Sequence, residues 1–300
     1  MEFFMNNKIE RNFSRNFNLL LKFKLIVLLF VCMLTVSVSA QQKSETGLKV
    51  MTFNIRYGAA NDGENNWQFR KGYAAETIQK FDPDILGLQE ALRFQIDDLL
   101  EQLQQYELVG VGRDDGKTAG EYSCIFYKKD KFKIDSTQTF WFSDTPEIPG
   151  SKSWGNEITR ICTWARMTDK TSGKTFYAFN VHLDHQSQPS REKSAQLLVK
   201  RIGEKNLPVI LTGDFNSTED NPAIKAVLAS GLIDTFRALH KTGHNQGTFH
   251  AFKGNTDGEK IDYIFVSKEF NPVSSEIITT SYNGRFPSDH FPVSATIIVR

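Results

Sequence analysis

The 300-residue sequence predicts an α/β fold in which two sheets pack face to face with helices outside them. Three observations carry that expectation. Segments with apolar residues at every second position alternate with segments that repeat every three or four. A strand–helix–strand unit near residue 50 is echoed by another near residue 180. The turn signals between segments are short, and no low-complexity linker or short-period repeat suggests a second domain or a solenoid.

The first 40 residues are set aside before the fold is read. Lys8, Arg11, Arg15, Lys22 and Lys24 form a basic stretch, an apolar run follows over 25–36, and Val38-Ser39-Ala40 supplies small-x-small spacing. That order predicts a secretory signal peptide. The run is shorter than the roughly 20 residues that span a bilayer, so no permanent membrane anchor is expected after processing. Cys32 follows bulky Val31 inside the run and is read as part of the discarded segment. The processed chain, 41–300, is expected in the periplasm or the medium, as a monomer.

Removing that segment takes away five basic and two acidic residues, leaving 31 against 33, a charge of −2. A dedicated nucleic-acid binder usually carries a strong basic excess, which is missing. The length suits one domain. Cys124 and Cys162 remain, so one disulfide is permitted but the scaffold does not depend on cysteine.

In chain order, 48–55 reads as a strand with Met51, Phe53 and Ile55 on one face and Val50, Thr52 and Asn54 on the other. Ala74, Ile78 and Phe81 mark a helix over 70–81, stopped by Asp82-Pro83-Asp84. Residues 85–89 form a short buried strand. Leu92, Ile96, Leu99 and Leu103 mark a second amphipathic helix. A β-rich stretch covers 106–183, with turns at Asp115-Gly116, Pro149-Gly150 and Ser172-Gly173. Ser190 is read as the cap of a third helix ending near Gly203. A buried strand over 207–212 comes next. Asn221-Pro222 opens a fourth helix that Ser230-Gly231 closes, matching cap, N1 proline and C-terminal glycine. Two final strands are expected over 261–266 and 291–299.

Polar residues recur where these strands end. Asn54 and Glu90 close the first two strands; His182 and Asp184 lie two apart, and Asp214 and Asn216 repeat that spacing. Asp262 sits in Lys260-Ile-Asp-Tyr-Ile-Phe, and Ser288-Asp289-His290 precedes the last strand. Singly, each has an ordinary reading as a turn, a cap or a satisfied core histidine. Together, four carboxylates, two amides and two imidazoles make an oxygen-rich, thiol-free set suited to Mg²⁺ or Mn²⁺. Such an ion neutralises a phosphoryl oxygen, while histidines and amides donate to the others and an Asp–His pair handles protons. Zinc is disfavoured, because His182 and His185, three apart on a strand, point to opposite faces. No Gly-x-Ser-x-Gly elbow, P-loop or dinucleotide fingerprint is present.

Thr52-Phe-Asn54-Ile, Leu88-Gln-Glu90, Asn180-Val-His182-Leu-Asp-His, Thr212-Gly-Asp214-Phe-Asn216, Ile261-Asp262-Tyr-Ile and Ser288-Asp289-His290-Phe-Pro resemble, in order, the motifs of the endonuclease/exonuclease/phosphatase superfamily over 48–297. The resemblance is to secreted bacterial members and the deadenylase-like branch. It implies a four-layer αββα sandwich of two packed mixed sheets with the site at one edge. It also implies that Glu90 is the principal metal ligand with Asn54 beside it, that His182 and Asn216 contact the scissile phosphate, and that Asp214 orients or deprotonates the attacking water. Asp262 and His290 would form the Asp–His pair, and Asp289 would support the metal or that histidine. The abasic-site endonuclease branch has an acidic residue two positions after the first-strand asparagine. Here that position is Arg56, which argues against a DNA-repair role.

Further candidates for substrate contact are Arg160, which could clamp a phosphate or make a surface salt bridge, Glu121, before the strand at 122–127, and His250. Asn66-Trp67 with Arg70-Lys71, and Phe249-His250, are read as loops that could bind substrate. The expected activity is hydrolysis of a phosphoester, with nucleic acid, a phosphorylated small molecule and a phospholipid head group as competing substrates. Aromatic platforms with a basic groove would favour the first, and a narrow pocket with one or two arginines the second. A catalytically silent binding module on the same scaffold would show gaps among the eight site positions, and there are none. If the clustering were accidental, Glu90, Asp214, Asp262 and His290 would lie dispersed in the structure.

Overall fold

The computed structural model describes residues 47–299. The export signal expected over 1–40 lies outside the described residues. Among the described residues, no helix is long and apolar enough to cross a membrane.

The described residues form twelve strands: β1 (Leu48–Asn54), β2 (Ile85–Ala91), β3 (Tyr106–Val109), β4 (Tyr122–Lys128), β5 (Phe132–Trp141), β6 (Ile161–Asp169), β7 (Thr175–His182), β8 (Val209–Asp214), β9 (Ile233–Asp234), β10 (Asp262–Val266), β11 (Phe270–Ile277) and β12 (Val293–Val299). The helices are α1 (Trp67–Phe81), α2 (Arg93–Gln102), α3 (Gln188–Gly203), α4 (Pro222–Ala229) and α5 (Thr235–Leu239). One six-stranded sheet runs β11-β12-β1-β2-β4-β3 and the other β5-β6-β7-β8-β10-β9. In each, the third and fourth strands are a parallel pair, β1 with β2 and β7 with β8. A helix joins each pair, and an antiparallel strand flanks it on either side: β12 and β4 in one sheet, β6 and β10 in the other. The echo in the sequence is therefore a repeated topology.

Period-two alternation divides the apolar residues into three layers. Met51, Phe53, Leu86 and Leu88 pack outward against Ala74, Ile78, Ile96 and Leu99. Phe179, Val181, Leu211 and Phe265 pack outward against Ala195, Leu198, Ile224 and Val227. Val50, Ile85, Ala178, Ile210, Ile264 and Val293 fill the space between the sheets. With helices outside and two sheets inside, this is the expected αββα sandwich.

Along the inward faces the chemistry changes from apolar to hydrogen-bonding to ionisable: Val50-Thr52-Asn54, Ala178-Asn180-His182, Ile210-Thr212-Asp214. The middle tier is a buried polar network. Gln89 Nε2 donates to Thr52 Oγ1 and Asn180 Oδ1, and Asn180 Nδ2 donates to the carbonyls of Leu88 and Cys124. Thr212 Oγ1 donates to Asn180 Oδ1. Each buried amide or hydroxyl here would be costly unpaired, so the network locks one sheet against the other in a single register. Gly87 is required beside it: a Cβ there would lie 2.2 Å from Thr212 Oγ1 and 2.5 Å from Asn180 Oδ1.

Several local readings are corrected. Ser187, not Ser190, caps α3, its hydroxyl accepting from the Ser190 amide, while the Ser190 hydroxyl is buried without a partner. Helix α1 begins at Trp67, three residues early, so Trp67, Arg70 and Lys71 are helical rather than in a loop. Apolar spacing missed that first turn because its inward residues are Trp67, stacked under Arg70, and the buried Arg70 itself. The C-terminal region holds β11 and the short β9 and α5 besides the two expected strands. Strand β11 carries Pro272 at a register shift on the sheet edge, where proline is tolerated but disguises a strand. Cys124 and Cys162 are both free and buried, in different core layers.

Candidate active site

The site forms where β1, β2, β7 and β8 end and β10 begins. Asp214 is its centre because register places it so: His182 of β7 pairs directly with Asp214 of β8, and Asp262 of β10 pairs with it on the other side. Three ionisable side chains thus share the inward face of neighbouring strands. Asn54 reaches across from the other sheet. Its Nδ2 donates to Glu90 Oε1 at 3.0 Å and to Asp214 Oδ2 at 2.9 Å, and its Oδ1 accepts from the Arg56 amide at 2.9 Å.

Glu90 is aimed by a β-bulge. Leu88 pairs with Cys124 and Ala91 with Tyr122, so Gln89 and Glu90 together oppose the single residue Ser123. The bulge puts Glu90 in the left-handed region at φ 60° and lets Gln89 keep its place in the polar network. Asn216 (φ 45°) and Arg56 (φ 60°) are left-handed too. Backbone strain of this kind costs about 1–3 kcal/mol per residue and persists where the surroundings over-determine it. The Glu90 carboxylate is fixed at its second oxygen by the Tyr57 amide, 2.7 Å away.

On the opposite side, His290 Nδ1 lies 2.9 Å from Asp262 Oδ2, and its Nε2 lies 3.8 Å from Asp214 Oδ2. Ser288 Oγ donates to the Asn54 carbonyl at 2.7 Å, tying the His290 segment to β1. Asn216 Nδ2 lies 3.0 Å from His182 Nε2 and donates to the Leu183 carbonyl.

Burial sets the protonation states apart. It pushes the Asp214 carboxyl up to about 7, with the neighbouring Asp262 adding to the rise and His290 opposing it. Burial works against a charge on His290, but Asp262 and Asp214 outweigh it and hold the imidazolium well above the usual histidine range. His182 is driven the other way, by burial and then by the charges of Arg160 and Arg113, so it stays neutral and its Nε2 accepts from Asn216. Burial also acts to raise Glu90, but the Asn54 hydrogen bond and His290 hold it below the ordinary range. Burial pushes the Asp289 carboxyl up.

The donor chemistry fits a hard divalent cation. One ligand atom from each of Glu90, His182 and Asp214 lies within 4.8 Å of the others, and the same holds for Asp214, Asp262 and His290. Asp262 Oδ1 is buried without a hydrogen-bond partner. Asp289 belongs to neither group. Its Oδ2 stands 3.7 Å from Arg56 Nε, and its Oδ1 accepts from Ser288 Oγ.

The structure sorts the remaining candidates. Strand β7 ends at His182, so Asp184 does not share a strand face with it. Instead Asp184 accepts from the Gln186 and Ser187 amides at the start of α3. Arg160 is not on the surface: 3% exposed, it lies 3.4 Å from Asp184 Oδ2 and 2.7 Å from His185 Nδ1. Glu121 does reach the site region, held bidentately by Arg113 at 2.7 Å for both bonds. His250 is buried, stacked on Phe291 with centroids 3.8 Å apart. Burial pushes it down to about 4, and the exposed aromatic beside His290 is its neighbour Phe249, at 5.0 Å between centroids.

Arg113 escapes the sequence reading, which places Arg70 in a substrate loop rather than in the role it has. Arg113 sits in a glycine-rich turn with no apolar pattern to mark it. Arg70 is 2% exposed and donates to the carbonyls of Ile55, Arg56, Asn65 and Pro287, pinning the segments that carry Asn54 and His290. A buried arginine on a helix face otherwise lined by alanine and isoleucine was the available signal.

This geometry agrees with the comparisons. A family model described as Endonuclease/Exonuclease/phosphatase family matches residues 51–290. An endonuclease/exonuclease/phosphatase family protein from Bacteroides thetaiotaomicron superposes with a TM-score of 0.80 at 38% identity, over 85% of this chain and 96% of that one. A mannosyl-6-phosphatase of the same organism gives a TM-score of 0.78 at 37% identity, over 84% and 99%. Mouse nocturnin is 26% identical over 283 residues, 83% of this chain and 64% of its own length. With the family model spanning most of the described chain and the motif residues gathered at one sheet edge, this chain belongs to the Endonuclease/Exonuclease/phosphatase family, whose members hydrolyse phosphoester bonds.

Proposed function

We propose that this protein is an exported, Mg²⁺- or Mn²⁺-dependent phosphoester hydrolase that acts on phosphate monoesters of small hydroxylated molecules. The observation that carries the reading is the placement of Asp214 between Asn54–Glu90 and Asp262–His290. It brings a cation seat and an acid–base pair onto one carboxylate.

A cation held by Glu90 with Asn54 beside it would neutralise a phosphoryl oxygen and the developing alkoxide. The side chains supply the rest. Asp214, whose Oδ2 faces His290 Nε2 and is fixed by Asn54, accepts the proton of the attacking water there. His290, held charged by Asp262, faces the same space through its Nε2–H and donates to a phosphoryl oxygen. Asn216 and His182 line the third side, where their mutual bond and the Asn216 bond to the Leu183 carbonyl hold that wall in place. Asn54 keeps Glu90 and Asp214 at fixed separation throughout.

The monoester preference is supported by the likeness to a mannosyl-6-phosphatase at 37% identity over nearly that whole protein, and by the missing basic excess. Export is supported by the basic stretch, apolar run and small-x-small site within residues 1–40. A diesterase is the second reading, favoured by the nocturnin likeness and by exposed Phe249 beside His290. The test is turnover of p-nitrophenyl phosphate and bis-p-nitrophenyl phosphate with Mg²⁺, Mn²⁺ or EDTA, beside Glu90→Ala and His290→Ala. Metal-dependent turnover of the monoester, lost in both variants, is expected. Preference for the diester would replace the phosphatase reading, and no turnover together with no metal binding on titration would leave a binding module.

A further inference from the structure

A second set of charged side chains lies at the same end of the sandwich, and the hydrolytic steps leave it unused. Glu121 directly precedes β4, whose Tyr122 pairs with Ala91, so it comes from the first sheet beside Glu90. Arg160 directly precedes β6, whose Cys162 pairs with Val181, so it comes from the second sheet beside His182. The sheets thus place one charged residue on each side of the reacting centre. Arg113 grips Glu121 with two parallel bonds of 2.7 Å, and both side chains are 13% exposed. Arg160 is backed by Asp184 and His185.

Charge decides what this wall can recognise. Arg113 faces Glu121 and, at 3.8 Å, Asp114, while Arg160 faces Asp184, so the wall carries no positive excess. A second phosphate group, or the next phosphate of a nucleic acid, would meet the Glu121 carboxylate and, close by, that of Glu90. Like charges at that range are disfavoured. A neutral hydroxyl suits the wall better, because it can donate to a carboxylate oxygen and accept from a guanidinium at once. Two hydroxyls on adjacent carbons match a carboxylate–guanidinium fork. Each terminal nitrogen of Arg113 spends one of its two hydrogens on Glu121, so the fork retains donor capacity.

We propose that Arg113 and Glu121, supported by Arg160, read vicinal hydroxyls on the alcohol part of the substrate, which makes the substrate class a polyol or sugar phosphate. This deepens the monoesterase reading and rests on it. A site built to hydrogen-bond hydroxyls rejects an analogue that lacks them, because its own polar groups are then desolvated without partners.

The test compares a hexose 6-phosphate with n-hexyl phosphate, using the purified Mg²⁺-loaded protein and p-nitrophenyl phosphate as a common reference. The unaltered protein is expected to show kcat/KM at least about tenfold higher for the hexose ester, the loss that about 1.4 kcal/mol of hydroxyl recognition produces. Glu121→Gln is expected to lower kcat/KM for the hexose ester at least about tenfold more than for the hexyl ester. Equal kcat/KM for the two esters in the unaltered protein overturns the proposal, and needs no variant to fold. So does a Glu121→Gln variant that lowers both alike, which would make the pair structural. Absence of p-nitrophenyl phosphate turnover identifies a different failure: it removes the monoesterase reading, and the wall's role falls with it.

Discussion

Asp262 Oδ2 lies 2.9 Å from His290 Nδ1, and the far nitrogen of that ring points toward Asp214 Oδ2 at 3.8 Å. The imidazole is therefore held between two buried carboxylates that differ in distance and in role. The nearer fixes its charge and orientation, and the farther shares its reaction space.

Replacing Asp262 by Asn keeps the shape and removes the nearer charge. Burial then acts on His290 with less opposition, so its imidazolium is favoured over a narrower range. The expected result is a kcat lower by about 100- to 10,000-fold. The limb of the pH–rate profile that reports His290 should move to lower pH. Steady-state kinetics across pH would show this, and an unchanged limb would remove His290 from the proton handling.

Asn54 bridges Glu90 and Asp214 with the two hydrogens of one amide. Asn54→Ala leaves both carboxylates facing each other without a donor between them. Metal affinity is expected to fall by about 10- to 100-fold, the range seen when groups that orient ligands are lost. Titration calorimetry with Mn²⁺ would measure it, and unchanged affinity would place the cation away from this pair.

The Asp214 carboxyl is raised from 3.8 to about 7 in the folded, metal-free protein. Below about pH 4 it is protonated whether the chain is folded or not, and contributes nothing. As pH rises the unfolded chain ionises first, so stability is lost progressively up to about 7 and stays lost above it. At about 1.4 kcal/mol per pKa unit the loss is on the order of 4 kcal/mol. Asp214→Asn is expected to be inactive yet to melt higher than the unaltered protein in EDTA at alkaline pH, with the difference closing in acid. Parallel melting curves across pH would contradict the assignment. This is the expected trade between a functional group and stability.

Much of this site was legible because register acts on period-two faces. Thr52 and Asn54, Asn180 and His182, and Thr212 and Asp214 are pairs two apart, so each motif announces one network residue and one site residue on the same inward face. Glu90 obeys no such rule. It follows Gln89 directly, and only a bulge lets both point inward, a device that apolar pattern does not encode. Arg160 was legible as a residue but not as a buried one, because its partners Asp184 and His185 lie across a strand pair. Strand β11 was hidden by Pro272 and polar edge residues, and α5 by being five residues long.

The polar tier between the sheets leaves no room at Gly87. A Cβ there would lie 2.2 Å from Thr212 Oγ1 and 2.5 Å from Asn180 Oδ1. Gly87→Ala is expected to destabilise by about 1–3 kcal/mol, the usual range for overpacking. Adding Thr212→Ala removes the nearest clash, so the double variant should recover part of the loss. Denaturant unfolding of the two variants would test the coupling, and strict additivity would mean the alanine is absorbed elsewhere.

Arg70 connects fold and chemistry more directly than any ligand-facing residue. It donates to the Ile55 carbonyl at 2.6 Å, Asn65 at 2.8 Å, Pro287 at 3.0 Å and Arg56 at 3.2 Å. Burial pushes its guanidinium down to about 10, so it remains charged while working against desolvation. Two of those carbonyls immediately follow Asn54, and a third immediately precedes Ser288-Asp289-His290. Arg70→Met removes the donors and leaves buried carbonyls unpaired, an expected cost on the order of 2–4 kcal/mol. Arg70→Lys restores the charge but not the fork, since an ammonium cannot span carbonyls from three segments. If Arg70 only supports the fold, the lysine variant should regain activity in proportion to its stability. If it sets the separation of Asn54 and His290, kcat should stay depressed at temperatures where the lysine variant is fully folded, and that dissociation of kcat from melting temperature is the expected outcome.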